Sequence, residues 1–579
     1  MDAQARSLVQ PLVVPFALLV TLSGPALAQP FGAAVIPPGG TPIPQLEPPS
    51  QPRLGPGMAP PAPARPGAAP EGSASVREVA FLGTTAFTPA ELIAATGSLT
   101  GAATPIARIE EARAAIVTLY RDRGYPFVTA DATLGADGVL RFQVAEGYVT
   151  EVKLDGDIGP AGTQVLRFLN RLVNVQPLDI ASLERQLLLA QDIPGLTVRS
   201  VLRPAGTAPG ALSLVAQVSR QAVSGYVTAD NRGPRFSGPF QALGSVQFNS
   251  FTSLGERTEL QIFYARDTTQ VFGQASWQGF VGGSGLQVRL YAGHGRTNPS
   301  GQLRQLGYEG ESTVAGIQFL YPAIRRRSQT LNLVGSFDAI ETEIWVDGSN
   351  GQQQRLSRDS LRVLRAGGDW SVYDLLAGDT RPATNFLSIR LSQGLDGFGA
   401  SASGPGASRP GARTDFTKIS GEISRTQALF SPWNGAVVSL QGTLAGQWSN
   451  DVLPVSEKYY LGGNRLGRGF YAGEVTGDNA LAVSAELQLS TSHEFTAWRW
   501  PIRLLPTYYL FYDQGWTYEN RASDPNRELR SAGIGVRMQV NERFEAQFEG
   551  VRRFTRQPQG PAVPAQHEDA FFWRVLARF

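Results

Sequence analysis

The 579-residue chain has no cysteine, three histidines and only three lysines, Lys153, Lys418 and Lys458. Without cysteine there is neither a disulfide framework nor a thiolate for metal binding or nucleophilic attack. No lysine follows a glycine, which excludes the Gly-Lys-Ser/Thr loop that cradles nucleotide phosphates. His294, His493 and His567 lie far apart, form no HExxH helix, and read as strand-end or loop residues rather than ligands. A Gly-x-Ser-x-Gly nucleophile elbow is also missing. The expectation is a protein that is not an enzyme, with no catalytic residue, metal or cofactor.

Charge and hydropathy exclude two further classes. A net charge of +2 gives no electrostatic reason for a nucleic-acid partner. Beyond residue 28 no apolar run approaches the ~18 residues of a membrane helix. That leaves the β-barrel open, because only alternate barrel residues face lipid. The 64 glycines and 9% aromatic content, with so little lysine, suit that class better than a helical one.

Residues 1–28 read as a secretory signal peptide: Arg6, a mainly apolar stretch from Pro11 to Leu22, and an Ala26-Leu27-Ala28 cleavage site before Gln29. Residues 29–74, with paired prolines at 37–38, 48–49 and 60–61, read as a Pro-rich extended linker. From 75 to 147 the pattern predicts β-α-α-β-β. Val76–Leu82 is a strand, and Thr88 N-caps a helix over Pro89–Ala95. Ile109, Ala112, Ile116 and Leu119 mark a second helix that stops at Arg123-Gly124. Strands Phe127–Leu134 and Val139–Val144 flank an Ala-Asp-Gly turn. Residues 148–220 repeat that order, with Asp192-Ile193-Pro194-Gly195 ending the second helix. This reads as an internal repeat of about 70 residues, the alternative being two unrelated α/β modules.

From 221 to 579 segments of about the ~9–11 residues that cross a bilayer recur between turn residues. Sixteen strands are expected, near 222–230, 240–249, 257–266, 270–280, 285–294, 312–321, 329–338, 358–371, 383–393, 413–425, 434–446, 479–490, 503–514, 528–540, 543–554 and 568–579. In one, Leu481, Val483, Ala485, Leu487 and Leu489 alternate with Ala482, Ser484, Glu486, Gln488 and Ser490. In the last, Phe571, Trp573, Val575, Ala577 and Phe579 share a face. A soluble double-sheet sandwich is the alternative. A terminal aromatic after a signal peptide favours an outer-membrane barrel. A long connection, 450–478, contains Leu-Gly-Gly-Asn-Arg-Leu-Gly-Arg-Gly-Phe at 461–470. Its Arg468, between Gly467 and Gly469 and before Phe470, reads either as a solvated surface-turn residue or as a guanidinium aimed at a specific partner.

These features together resemble a two-partner secretion transporter of the TpsB, or haemolysin secretion/activation, type, in the superfamily that also holds the barrel-assembly proteins. The modules at 75–147 and 148–220 resemble POTRA domains, the second of the ShlB type. Asp192-Ile193-Pro194-Gly195 resembles a motif of that second domain. Asp230-Asn231-Arg232-Gly233 and Tyr512-Asp513-Gln514-Gly515 are similar to the family's barrel-opening and inward-strand motifs. The resemblance implies a β-dominated membrane protein, a 16-stranded porin-like channel preceded by two periplasmic POTRA domains. It further implies that the 450–478 loop folds inward and that Arg468 meets Asp513 on the wall near Gly515. The implied partners are a secreted, unfolded exoprotein (haemolysin- or adhesin-like) captured around Asp192, Pro194 and Gly195, outer-membrane lipid, and the barrel-assembly machinery that recognises Phe579. Family members also carry an N-terminal plug helix, but 29–74 is too Pro-rich to predict one, and many relatives have an apolar residue where Gly467 stands. An outer-membrane protein assembly factor is the alternative function. A passive porin leaves 75–220 unexplained.

Overall fold

Two small α/β units lead into a closed barrel in the computed structural model of the chain. It describes residues 72–579 apart from 207, 236, 301–303, 305–306, 349–351, 403–405, 498 and 562. The expected signal peptide, its cleavage residue Ala28 and nearly all of the 29–74 linker lie outside the described residues.

The first unit comprises β1 (Ser73–Val76), β2 (Glu78–Leu82), α1 (Pro89–Thr96), β3 (Gly101–Pro105), α2 (Ile106–Asp122), β4 (Val128–Leu134) and β5 (Val139–Glu146). Thr88 and Glu91 form a reciprocal capping box that starts α1. Helix α2 buries Ile109, Ala112, Ile116 and Tyr120 at helical spacing and stops before Gly124, whose φ is +89°. The sheet order is β2-β5-β4, with β2 parallel and β4 antiparallel to β5. One feature differs from the expectation. The strand expected over 76–82 is interrupted at Arg77, and its first part pairs with β3 as a separate ribbon.

The second unit has β6 (Tyr148–Asp155), α3 (Gly162–Leu169), α4 (Ile180–Gln191), β7 (Leu196–Pro204) and β8 (Ala211–Arg220). Its sheet, β6-β8-β7, repeats the mixed pairing of the first. Val165, Phe168, Leu183, Leu189 and Leu214 fill its core, and Phe280 enters that core from the barrel, its ring 5.3 Å from that of Phe168.

The barrel strands are β9 (Val223–Asp230), β10 (Gln241–Asn249), β11 (Arg257–Ala265), β12 (Gln270–Phe280), β13 (Gln287–Thr297), β14 (Glu309–Arg325), β15 (Gln329–Asp347), β16 (Gln353–Asp374), β17 (Ala383–Gly394), β18 (Thr417–Phe430) and β19 (Ala436–Ser449). After the long connection, which holds β20 (Tyr459–Leu461) and β21 (Val475–Gly477), come β22 (Asn479–Thr491), β23 (His493–Ala497), β24 (Trp500–Tyr518), β25 (Arg527–Val540), β26 (Phe544–Arg553) and β27 (Asp569–Arg578). Segments β22 and β23 both pair with β24 and act as one strand interrupted at Ser492, so the antiparallel barrel has sixteen strands, closed by β27 on β9.

Alternation decides which side chains see lipid. Leu481, Leu487, Ile534 and Phe571 lie on the exposed outer face, while Glu486, Gln488, Ser531 and Phe572 are buried inside. Strands β14, β15 and β16 run 17, 19 and 22 residues, well past a bilayer crossing and past their expected ends. Their extensions are held by ionic rungs such as Arg362–Glu341 (2.8 Å) and Arg358–Glu343 (3.3 Å), which hydropathy does not mark as strand.

Candidate functional site

The 450–478 connection folds into the barrel. Its stem is closed by the β20–β21 hairpin, and Leu461, Leu466, Phe470 and Val475 pack against Ala445, Ala480, Ala482 and Leu529 of the wall. Small wall residues leave room for the loop: a Cβ on Gly515 would lie 2.7 Å from Leu461 Cδ1. Ion pairs fix both ends of the stem. Glu457 meets Arg365 (2.6 Å) and Lys418 (2.8 Å), and Asp478 accepts from Arg409 at 2.6 and 3.0 Å.

At the loop tip, Arg468-Gly469 reads one row of the wall. Ser484, Asp513, Ser531 and Arg553 are register neighbours across β22, β24, β25 and β26. All four touch the tip. Arg468 donates to Asp513 from its backbone amide (2.8 Å), from Nε (3.0 Å) and from Nη2 (2.9 Å), and Nη2 also donates to Ser484 Oγ at 3.0 Å. The Gly469 amide donates to Ser531 Oγ (3.1 Å), and its carbonyl accepts from Arg553 Nε (2.5 Å). Gly469 is required sterically, because a Cβ there would lie 2.4 Å from Ser531 Cβ. Gly467 is required twice over: its φ is +76°, and a Cβ would lie 2.8 Å from Leu529 Cδ1.

The guanidinium of Arg468 also pairs with Glu486 and stacks 3.9 Å above the Phe511 ring. Arg537 donates to Glu486 (3.0 Å), and Arg232 pairs with Glu549, which accepts from Tyr509 OH at 2.7 Å. Arg232, Arg468 and Arg537 thus pair with Asp513, Glu486 and Glu549, so each of these carboxylates has a cationic partner inside the barrel. Arg232 grips the loop as well, donating to Asn464 Oδ1 (3.1 Å) and accepting from the Ala472 amide (3.0 Å).

The structure therefore brings Gly467, Arg468, Gly469, Phe470, Asp513 and Gly515 together. It places Asp192, Pro194 and Gly195 elsewhere, against the barrel base. Asp192 accepts from Arg325 Nε and Nη2, each at 2.7 Å; the Pro194 carbonyl accepts from Ser250 Oγ (2.6 Å) and the Gly195 carbonyl from the Gln221 amide (2.8 Å). These groups hold the second unit to the barrel. Phe579 exchanges two backbone hydrogen bonds with Gly225 at 3.0 Å, and its ring is exposed on the outer face. Sequence reasoning did not single out Glu486, Glu549 or Arg553. Only Glu486 carried a signal, as the one charge on the polar face of its strand. Among the described residues no group of histidines, aspartates and glutamates is placed to hold a metal.

The family model for the haemolysin secretion/activation protein ShlB/FhaC/HecB matches residues 211–538, more than half of the chain. The chain belongs to this haemolysin secretion/activation family. The model for the ShlB-type POTRA domain matches 74–147, the first unit. Over 442 residues the chain is 22% identical to the heme/hemopexin transporter protein HuxB of Haemophilus influenzae strain 86-028NP, covering 73% of each protein. Its fold is similar to that of CdiB from Escherichia coli, with a TM-score of 0.69 at 18% identity over 90% of this chain and 93% of that one. CdiB from Acinetobacter baumannii gives a TM-score of 0.59 at 15% identity over 88% and 91%. As a family member the chain is a two-partner secretion transporter of the outer membrane, with its POTRA region in the periplasm. Connections at the β9 start therefore face the periplasm, and the 450–478 loop enters from the outside.

Proposed function

We propose that an unfolded exoprotein, haemolysin- or adhesin-like, is received by both α/β units acting as POTRA domains and passes through the barrel beside the 450–478 loop. The open sheet edges β4 and β7 offer unpaired backbone for an extended client to join by β-augmentation, with Leu134 and Val201 exposed on them. Passage takes no energy from catalysis by this chain; folding of the client outside makes it one-way. The Arg468–Asp513 contact holds the loop against one side of the lumen, so that the opposite wall bounds the path. During biogenesis, bilayer lipid covers the outer face and the assembly machinery engages Phe579.

The observation that carries this reading is the register row that seats the loop on four wall strands, which makes the loop a positioned element of the channel. Photo-crosslinkers at Leu134, Val201 and a lumen position such as Tyr226, with a client stalled in transit by a folded C-terminal fusion, test it. Crosslinks from all three positions to the one client are expected. Crosslinks from neither unit would remove the capture step.

A further inference from the structure

The outer wall carries an apolar groove of about 450 Å³ that the transport path does not use. Leu331, Trp370, Leu387 and Ile389 line it, Gly368 lies among them, and Ile324 and Gln329 bound it. It faces lipid: Trp370 and Ile389 are exposed, whereas Arg365, an odd number of residues along β16, points inward to Glu457. Register places Gly368 between Leu333 and Ile389, and Trp370 between Leu331 and Leu387.

Two neighbouring glycines separate structural need from open space. At Gly367 a Cβ would lie 2.0 Å from the Ile389 carbonyl oxygen, so the fold itself requires glycine. At Gly368 the nearest atom would be the Asn332 carbonyl oxygen at 3.4 Å, an ordinary contact, and its backbone is not left-handed. What glycine preserves at 368 is the groove.

Depth identifies the occupant. Gly368 and Trp370 stand six and four residues before the periplasmic end of β16 at Asp374. At ~3.3 Å per residue and ~40° tilt they rise roughly 10–15 Å from that rim, within the periplasmic half of a ~30 Å hydrocarbon core. At the same rim the turn after β14 exposes Arg326, a guanidinium suited to phosphate. We propose that the groove holds one acyl chain of a periplasmic-leaflet glycerophospholipid whose phosphate is paired by Arg326. Ile324 and Arg325 are consecutive, so the lipid and Asp192 of the second unit grip the same strand end.

Native mass spectrometry of the full-length protein, released from vesicles of phosphatidylethanolamine and phosphatidylglycerol, tests this. The wild type is expected to keep one phospholipid after bulk lipid is stripped. Gly368→Leu is expected to retain about tenfold less, a difference of about 1.4 kcal/mol in binding. Leu387→Trp, which fills the groove from β17, gives the same readout should Gly368→Leu fail to fold, and Arg326→Ala is expected to weaken retention while leaving the groove open. Wild-type retention by both filled variants, or lipopolysaccharide or detergent alone on the wild type, would overturn the assignment.

Discussion

Arg468 holds Asp513 with three hydrogen bonds, one of them from its own backbone amide. The backbone bond survives truncation of the side chain to alanine, while the charge does not. Arg468→Ala leaves Asp513 and Glu486 buried with a cation removed, and breaking such a buried pair costs about 3–5 kcal/mol. Secretion is expected to fall by tenfold or so, with barrel insertion largely intact by heat-modifiable mobility. Arg468→Lys is expected to rescue poorly, because an ammonium cannot span Asp513, Ser484 and Glu486 at once. Normal export by Arg468→Ala would remove the loop from the transport step.

Gly469→Val tests the seating itself. Its side chain would collide with Ser531 and lift the tip off the register row. Proteolysis of intact cells is expected to cut within 450–478 in this variant and not in the wild type. A loop that stays protected would mean that the Ser531 and Arg553 contacts are dispensable.

The Asp192–Arg325 pair predicts a coupling energy. Each single alanine variant is expected to loosen the second unit, and the double-mutant cycle to return about 0.5–3 kcal/mol of interaction. Urea unfolding of the full-length protein in detergent provides the values. Strict additivity would show that docking rests on the Phe168–Phe280 contact and its surroundings instead.

Acid is expected to weaken the first unit through Glu146. Burial alone would raise its pKa, but hydrogen bonds from Thr85, Tyr120 and Ala86 outweigh that and hold it below the ordinary 4.5. With the folded value below the unfolded one, this stabilisation is complete above about pH 4.5 and disappears as pH falls through the folded value. Hydrogen exchange of β5 in the full-length protein should therefore quicken on acidification, and Glu146→Gln should flatten that dependence. Parallel acid profiles for the two proteins would rule Glu146 out.

Much of this architecture is legible in the sequence. Alternation located sixteen strands, because a two-sided wall writes its faces into every second residue. The Thr88 cap and the Gly124 stop were equally local signals. The β1–β3 ribbon is not legible in the sequence: Gly101–Pro105, Gly-Ala-Ala-Thr-Pro, is too short and its side chains too small to show an alternation. Alternation ends β15 at 338, because its continuation, with Glu341 and Glu343, is stabilised by arginines of the next strand rather than by lipid. The Arg468–Asp513 contact came from motif resemblance, not from spacing. The Asp192–Arg325 pair joins residues 133 positions apart, a pairing no local pattern encodes.

Dedicated export of one exoprotein is checked by comparing culture supernatant and outer-membrane proteins from cells with and without this gene. Loss of the gene is expected to remove one exoprotein from the supernatant and to leave the outer-membrane profile unchanged. An unchanged supernatant together with depleted outer-membrane barrels would contradict it and mark the chain as an assembly factor.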